Sequence, residues 1–351
     1  MIKTIVAFLF LVIVFGGVCY KLLQYPTSVS LAKKTISLTH KKPVTTTPTN
    51  TISSPLAIAS MREKTYPGSA ITIDQTLTPG VNYKQYLVSY KSDGLKIYGL
   101  LTVPTGKKPK GGWPVILFNH GYIPPASYST LSSYQSMVAP LARAGYIVFK
   151  PDYRGNGNSK GTPTQPYITP DYVTDSMNAL SSIKEYNDAN PEKIGVIGHS
   201  MGGNITLHEI VLTHDIKAAE FLAGVVGTES DLANWWSHRY ADHSIVGNDL
   251  DTYYVFEKMI QDNGAPDANP TFWNALDPTK FVDFITAPVQ IQVGAADEDV
   301  PVNFSSTLTD VLTQKGKVVD YHVYPGANHN LVPDTTVVMN TSVAFFNHYL
   351  Q

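Results

Sequence analysis

The stretch Gly198-His199-Ser200-Met201-Gly202 sets one hydroxyl between glycines, in the pattern G-x-S-x-G. The apolar run Ile194–Ile197 leads into it, and a helix-like pattern follows. A strand that runs straight into a helix forces its central residue into strained backbone geometry, and small neighbours relieve the crowding. The serine hydroxyl is thereby pushed out where a substrate can reach it. The next backbone N–H, that of Met201, sits at a helix N-terminus and is placed to stabilise an oxyanion. These residue types at this spacing point to nucleophilic catalysis by Ser200.

A serine hydroxyl is a poor nucleophile at neutral pH and needs a base. Of ten histidines, His40 lies in a Ser/Thr-rich stretch and His199 within the turn itself. His208 and His214 fall on or after the following helix, His238 and His243 in an insertion, His322 in a strand and His348 on the last helix. His120 reads as structural, bonding loop carbonyls. His329, in the loop "YPGANHNL" after the last strand, is in the position to swing above a sheet toward Ser200. A third group must accept from the imidazole and stabilise its charge. The loop "VGAADEDVP" offers Asp297, with Asp299 as the second choice. A second oxyanion donor is expected from "FNHGY", at the N–H of Tyr122, whose phenol also reads as a substrate contact.

Short apolar runs that end in polar residues position these groups. "WPVILFNHGY", "GYIVFKPDYRGNGNS", "KIGVIGHS", "KAAEFLAGVVGT", "APVQIQVGAADEDVP" and "VVDYHVYPGANHN" read as buried strands. Helical patterns follow most of them, for example 171–186, 302–313 and 335–349. "YLVSYKSDGLKIYGLLTVP" before them reads as a hairpin turning at Ser92-Asp93-Gly94. Strand–helix alternation predicts an α/β fold, with a mainly parallel sheet flanked by helices and a site beyond the strand carboxyl ends. The glycine-rich run Asp152–Gly161 lacks the spacing of a phosphate loop and reads as a turn at the rim of the site. Between about 228 and 283 the alternation stops. That stretch reads as a small cap insertion over the strand ends, with Trp235 and Trp236 as substrate contacts; the alternative is that its aromatics form a core of their own.

The 351 residues are 43% hydrophobic and 15% charged, with a formal net charge of -2. No basic excess supports nucleic-acid binding. Cys19 is the one cysteine, which excludes an intrachain disulfide and a Cys/Cys zinc site; no metal or cofactor is implied. Residues 1–23 hold an apolar run, Ile5–Tyr20, between lysines, and read as a signal anchor or a signal peptide. Residues 24–67, rich in Ser, Thr, Pro and Lys, read as a tether, and 68–351 as the folded domain. This order predicts a domain held outside the cytoplasmic membrane, or secreted if the leader is cleaved.

"DGLKIYGLLTVP", "PVILFNHG", "PDYRGNGNS", "IGVIGHSMGG", "APVQIQVGAADEDVP" and "YPGANHN" follow one another in a single order from Tyr86 to the C-terminus. In this the chain resembles the α/β-hydrolase superfamily. More closely, it is similar to the catalytic domain of the prolyl oligopeptidase (S9-like) family and to related acyl esterases. The resemblance implies an α/β-hydrolase fold, a Ser200/Asp297/His329 triad in the order Ser…Asp…His, and acyl-enzyme chemistry. Prolyl oligopeptidases usually carry a long β-propeller ahead of this domain, where the chain has a tether and a short lead-in. Its Gly-His-Ser-Met-Gly-Gly filling is common among esterases and lipases. The expected activity is hydrolysis of small carboxylic esters or of peptide and amide bonds, esters favoured. The alternatives are a serine-type exopeptidase and, from another class, a non-catalytic binding protein on the same fold.

Overall fold

The computed structural model describes residues 54–241 and 249–351; within the helix Glu229–Ala241 the side chains of Trp236, His238 and Tyr240 are outside the description. The apolar run Ile5–Tyr20 and most of the tether also lie outside the described residues. No helix among the described residues is long and apolar enough to cross a membrane.

A nine-stranded sheet organises the described residues, in the order β1-β2-β3-β5-β4-β6-β7-β8-β9. The strands are β1 (Thr72–Thr76), β2 (Tyr83–Ser92), β3 (Leu95–Pro104), β4 (Trp113–Asn119), β5 (Ile147–Pro151), β6 (Ala189–His199), β7 (Ala218–Leu222), β8 (Val289–Gly294) and β9 (Val319–Tyr324). β1, β2 and β3 are antiparallel neighbours, and β3 pairs antiparallel with β5. From β5 across to β9 every pairing is parallel. The hairpin turns at Asp93 and Gly94, both with positive φ, which matches the right-handed twist of the flanking strands.

Both faces of the central strands are buried, as continuous apolar runs predict. On β4, Val115 and Leu117 belong to one core, while Ile116 and Phe118 belong to the other. The first core takes residues of α1 (Ile58–Glu63), α3 (Asp171–Lys184), α4 (Met201–Leu212) and α8 (Val302–Gln314); the second takes α2 (Gln135–Arg143) and α9 (Thr335–Leu350).

The boundary at residue 67 moves toward the N-terminus. Ile58 and Met61 of α1 are fully buried, and Arg62 donates from its guanidinium to the carbonyl of Val211 at the end of α4. A six-residue helix in a Ser/Pro-rich setting carries almost no periodic signal; tertiary packing holds it.

The insertion between β7 and β8 folds as α5 (Glu229–Ala241), α6 (Asp249–Asn263), α7 (Pro270–Leu276) and a 3-10 turn (Pro278–Phe284). Trp273 stacks on Phe256 at 6.5 Å within the same buried cluster as the central strands, so these aromatics do not form a core of their own, whereas Trp235 lines the cleft beside Ser200.

A buried carboxylate makes the sheet sensitive to pH. Glu220 of β7 is fully buried and accepts from the Gln292 amide and the Ser342 hydroxyl; burial pushes its pKa from 4.5 up to about 7. Between these values the unfolded chain is ionised while the folded one keeps the proton, so stability falls as pH rises through that window. Glu220→Gln mimics the protonated acid. Its urea midpoint is expected to gain on wild type as pH rises from about 4.5 to 7, and then to hold level. A wild-type-to-variant difference that stays constant from pH 5 to 8 would contradict this.

Candidate active site

β6 delivers the chain into α4 through a single residue, Ser200, whose φ of 55° and ψ of -123° are outside the usual regions for an L-residue. Tight packing imposes the turn. A Cβ on Gly202 would lie 2.0 Å from the carbonyl oxygen of Asn119, so β4 and α4 approach within backbone contact. The Ser200 N–H donates to Leu222 of β7, and its carbonyl accepts from Gly203 and Val225, which fixes the strained residue from three sides.

His329 meets the hydroxyl. Its Nε2 lies 2.9 Å from Ser200 Oγ, and its Nδ1 lies 2.9 and 3.1 Å from the two carboxylate oxygens of Asp297. A carboxylate accepts only, so Nδ1 carries the hydrogen and Nε2 is left to accept from Ser200. Asp297 Oδ1 also takes the N–H groups of Asp299 and Val300, at 2.9 and 2.8 Å, which fixes the rotamer of the carboxylate. Of the two acids the sequence offers, Asp297 is the one hydrogen-bonded to His329. Asp299 is exposed and lines the cleft, and its carbonyl accepts from Arg239.

The two residues expected to supply oxyanion donors, Met201 and Tyr122, both line the cleft with Ser200. Met201 is the first residue of α4. Gly121 presses on the nucleophile so closely that a Cβ there would meet Ser200 Cβ at 2.8 Å, and the next residue, Tyr122, lines the same cleft as Ser200. His120 is structural, as expected. Its ring is stacked between Tyr128 and Tyr153 and lies near the carbonyls of Gly121 and Asp152. Burial, with Lys150 nearby, lowers its pKa to about 3, so it is neutral.

The site opens into a cleft of about 980 Å³ whose lining includes Tyr122, Tyr134, Met137, Arg143, Met201, Trp235, Arg239, Val300, Thr336 and Met339. Trp235 stands edge-on to Phe304. Trp236 is on α5, but its side chain is outside the description. The glycine-rich run Asp152–Gly161 is not part of this lining, contrary to the rim expected. Arg154 in that run is instead committed to a buried ion pair with Asp175 of α3, at 2.8 Å, so the loop is tied down beside the sheet. Sequence reasoning missed Tyr134 and Arg143. Arg143 ends α2, which carries a proline at 140, and Tyr134 is the left-handed residue just before that helix, so periodicity gave little sign of either.

Comparison with known proteins agrees with this geometry. The sequence pattern of the prolyl oligopeptidase family matches residues 132–351. An uncharacterized peptidase of Bacillus subtilis, YtmA, is 24% identical over 256 residues, covering 73% of this chain and 90% of its own. A second uncharacterized peptidase from that organism, YuxL, is 27% identical, but the chain spans only 34% of its length. Among solved structures, an acetyl xylan esterase from Paenibacillus sp. R4 superposes with a TM-score of 0.62 at 17% identity, covering 84% of this chain and 92% of that one. Acylaminoacyl peptidase from Pyrococcus horikoshii superposes with a TM-score of 0.59 at 21% identity, over 77% of this chain and 42% of its own. With its α/β-hydrolase sheet and a serine, histidine and aspartate in one hydrogen-bonded line, the chain belongs to the prolyl oligopeptidase family and is a serine hydrolase.

Proposed function

We propose that this hydrolase cleaves small carboxylic esters through an acyl-enzyme on Ser200. The observation that carries the chemistry is the continuous line Ser200–His329–Asp297, with bonds of 2.9 Å, at the floor of an open cleft. His329 Nε2 takes the Ser200 proton as Oγ attacks the acyl carbon. The oxyanion is held by the N–H groups of Met201 and Tyr122. His329 returns the proton to the leaving oxygen, the C–O bond breaks, and the acyl group remains on Ser200. Water then attacks with His329 as base, and the acid departs. Asp297 holds the imidazole in its Nδ1–H form and stabilises the cation. No step draws on a metal or cofactor.

Two observations support esters. The Gly-His-Ser-Met-Gly-Gly elbow resembles the filling common among esterases and lipases, and the acetyl xylan esterase is matched over 92% of its length, whereas the P. horikoshii peptidase is matched over 42%. Peptide or amide cleavage is the second reading, favoured by the family and by YtmA, a named peptidase matched over 90% of its length. Substrate contacts are assigned to Tyr122, Trp235 and Trp236. The apolar run Ile5–Tyr20 supports a membrane anchor, or a cleaved leader, for a domain working outside the cytoplasm.

Hydrolysis of p-nitrophenyl acetate and of a dipeptidyl p-nitroanilide by the purified full chain separates the two readings. The ester is expected to turn over with the higher kcat/KM. Turnover of the anilide with none of the ester would overturn the preference. Inertness to both, together with failure to react with a fluorophosphonate, would overturn the chemistry.

A further inference from the structure

The variable residue of the elbow, His199, is 2% exposed and faces away from solvent, yet it is a polar side chain immediately before the nucleophile. Its two ring nitrogens have different partners. Nε2 lies 3.2 Å from the main-chain oxygen of His329, and Nδ1 lies 2.9 Å from the hydroxyl of Tyr134. That hydroxyl also receives the N–H of Gly121, at 2.8 Å.

The ends of this chain of bonds fix every role within it. A carbonyl only accepts, so His199 must carry its hydrogen on Nε2 and donate it to His329. Nδ1 then accepts, and the Tyr134 hydroxyl must donate to it. Tyr134 has one hydrogen, so its oxygen is available to accept from Gly121, and a backbone N–H only donates. The donors therefore run one way, Gly121 to Tyr134 to His199 to His329, with no group asked to play two incompatible parts. Burial, with the His329 ring beside it, lowers the His199 pKa to about 3, so this arrangement of hydrogens persists across the working pH range.

The anchors of the chain are the two loops that chemistry needs in register. Gly121 belongs to the loop that abuts Ser200 Cβ and leads to the Tyr122 peptide. The His329 carbonyl is the main chain of the residue whose imidazole bonds Ser200 Oγ. Tyr134 is itself held firmly. Its backbone is left-handed, with φ 69°, its carbonyl accepts from Met137 and Val138 at the start of α2, and its ring packs on Phe118 and His199.

We propose that Tyr134 and His199 are positioning residues, a buried hydrogen-bond relay that locks the oxyanion loop and the loop of the base His329 to the nucleophile's own elbow. The proposal rests on the hydrolase reading and deepens it. Neither residue touches the reacting atoms through this relay; each sets where those atoms stand. A misplacement of about 1 Å at such a site costs on the order of 100-fold in rate.

The test compares wild type, Tyr134→Phe, His199→Phe and His199→Gln in the full chain, with kcat and KM on p-nitrophenyl acetate and thermal unfolding for each. Tyr134→Phe keeps the ring and His199→Phe puts a somewhat larger ring in place of the imidazole; both remove the bonds. Both are expected to lower kcat by about 10- to 100-fold with KM within about threefold. His199→Gln presents an N–H and an oxygen at the same two partners and is expected to recover most of the loss. Phenylalanine variants that fold and stay within about twofold of wild type would remove the relay, as would a rise in KM alone. If His199→Phe does not fold, Tyr134→Phe decides; unfolding of that variant, which loses a single oxygen, would assign the hydroxyl to stability and overturn the proposal. Wild type is the control for the chemistry. If it neither turns over the ester nor labels with a fluorophosphonate, the hydrolase reading fails first; an active, labelled wild type with unaffected variants leaves that reading intact.

Discussion

Ser200→Ala is expected to abolish covalent labelling by a fluorophosphonate and to lower kcat on an ester by a factor on the order of 10⁶. The substitution deletes one oxygen from a residue that is fixed on three sides by backbone bonds to Leu222, Gly203 and Val225. The strained turn, the donors beside it and the cleft all remain. What is lost is the hydroxyl oxygen that lies 2.9 Å from His329 Nε2. Residual activity of the variant reports the cleft and the oxyanion donors alone, on the order of 10³ to 10⁴ above water. An alanine variant with activity within about tenfold of wild type would move the nucleophile elsewhere in the chain.

Asp297→Asn is expected to lower kcat by a factor on the order of 10⁴, with the fold intact. The reason lies in the two backbone donors, Asp299 N–H and Val300 N–H, that face Oδ1. An asparagine must keep its oxygen there. Its amide nitrogen then takes the place of Oδ2, 2.9 Å from His329 Nδ1. Nδ1 can meet that donor only by accepting, which moves the ring hydrogen to Nε2 and points it at Ser200. The imidazole is then unable to take the serine proton. Asp299→Asn is the companion measurement. Its carboxylate is exposed in the cleft, so it is expected to change KM more than kcat. If Asp297→Asn kept most of its activity and Asp299→Asn lost it, the roles of the two acids would be reversed.

The parts of this site legible in the sequence are those whose signal is local. Ser200, Asp297 and His329 each follow an apolar run at the carboxyl end of a strand, and the glycines around Ser200 mark where backbones touch. The central strands announce themselves because both faces are buried. What escaped depends on contacts distant in the chain. β1 is exposed at all five positions and is held by backbone pairing to β2, so no alternation marks it. α1 is short, and its burial is created by α4, about 150 residues away. His199 looks like filler in the elbow pattern; its role emerges only when Tyr134 and the His329 carbonyl arrive from separate elements. The run Asp152–Gly161 was misplaced for a related reason. Its glycines describe a tight turn, while the partner that draws it beside the sheet, Asp175, is on α3.

The helix behind Ser200 has a further consequence. Residues Met201 to Val211 of α4 are all buried, and the helix touches β4, β6, β7, α1, α3 and the 3-10 turn. A helix with no face turned to water draws its stability from its surroundings rather than from its own turns. Its amides can reach solvent only when the whole domain opens, so their hydrogen exchange should follow the global unfolding free energy. Because Ser200 sits at the head of that helix, the ability to react with an acyl donor doubles as a reporter of complete folding, and partly assembled chains should be chemically silent.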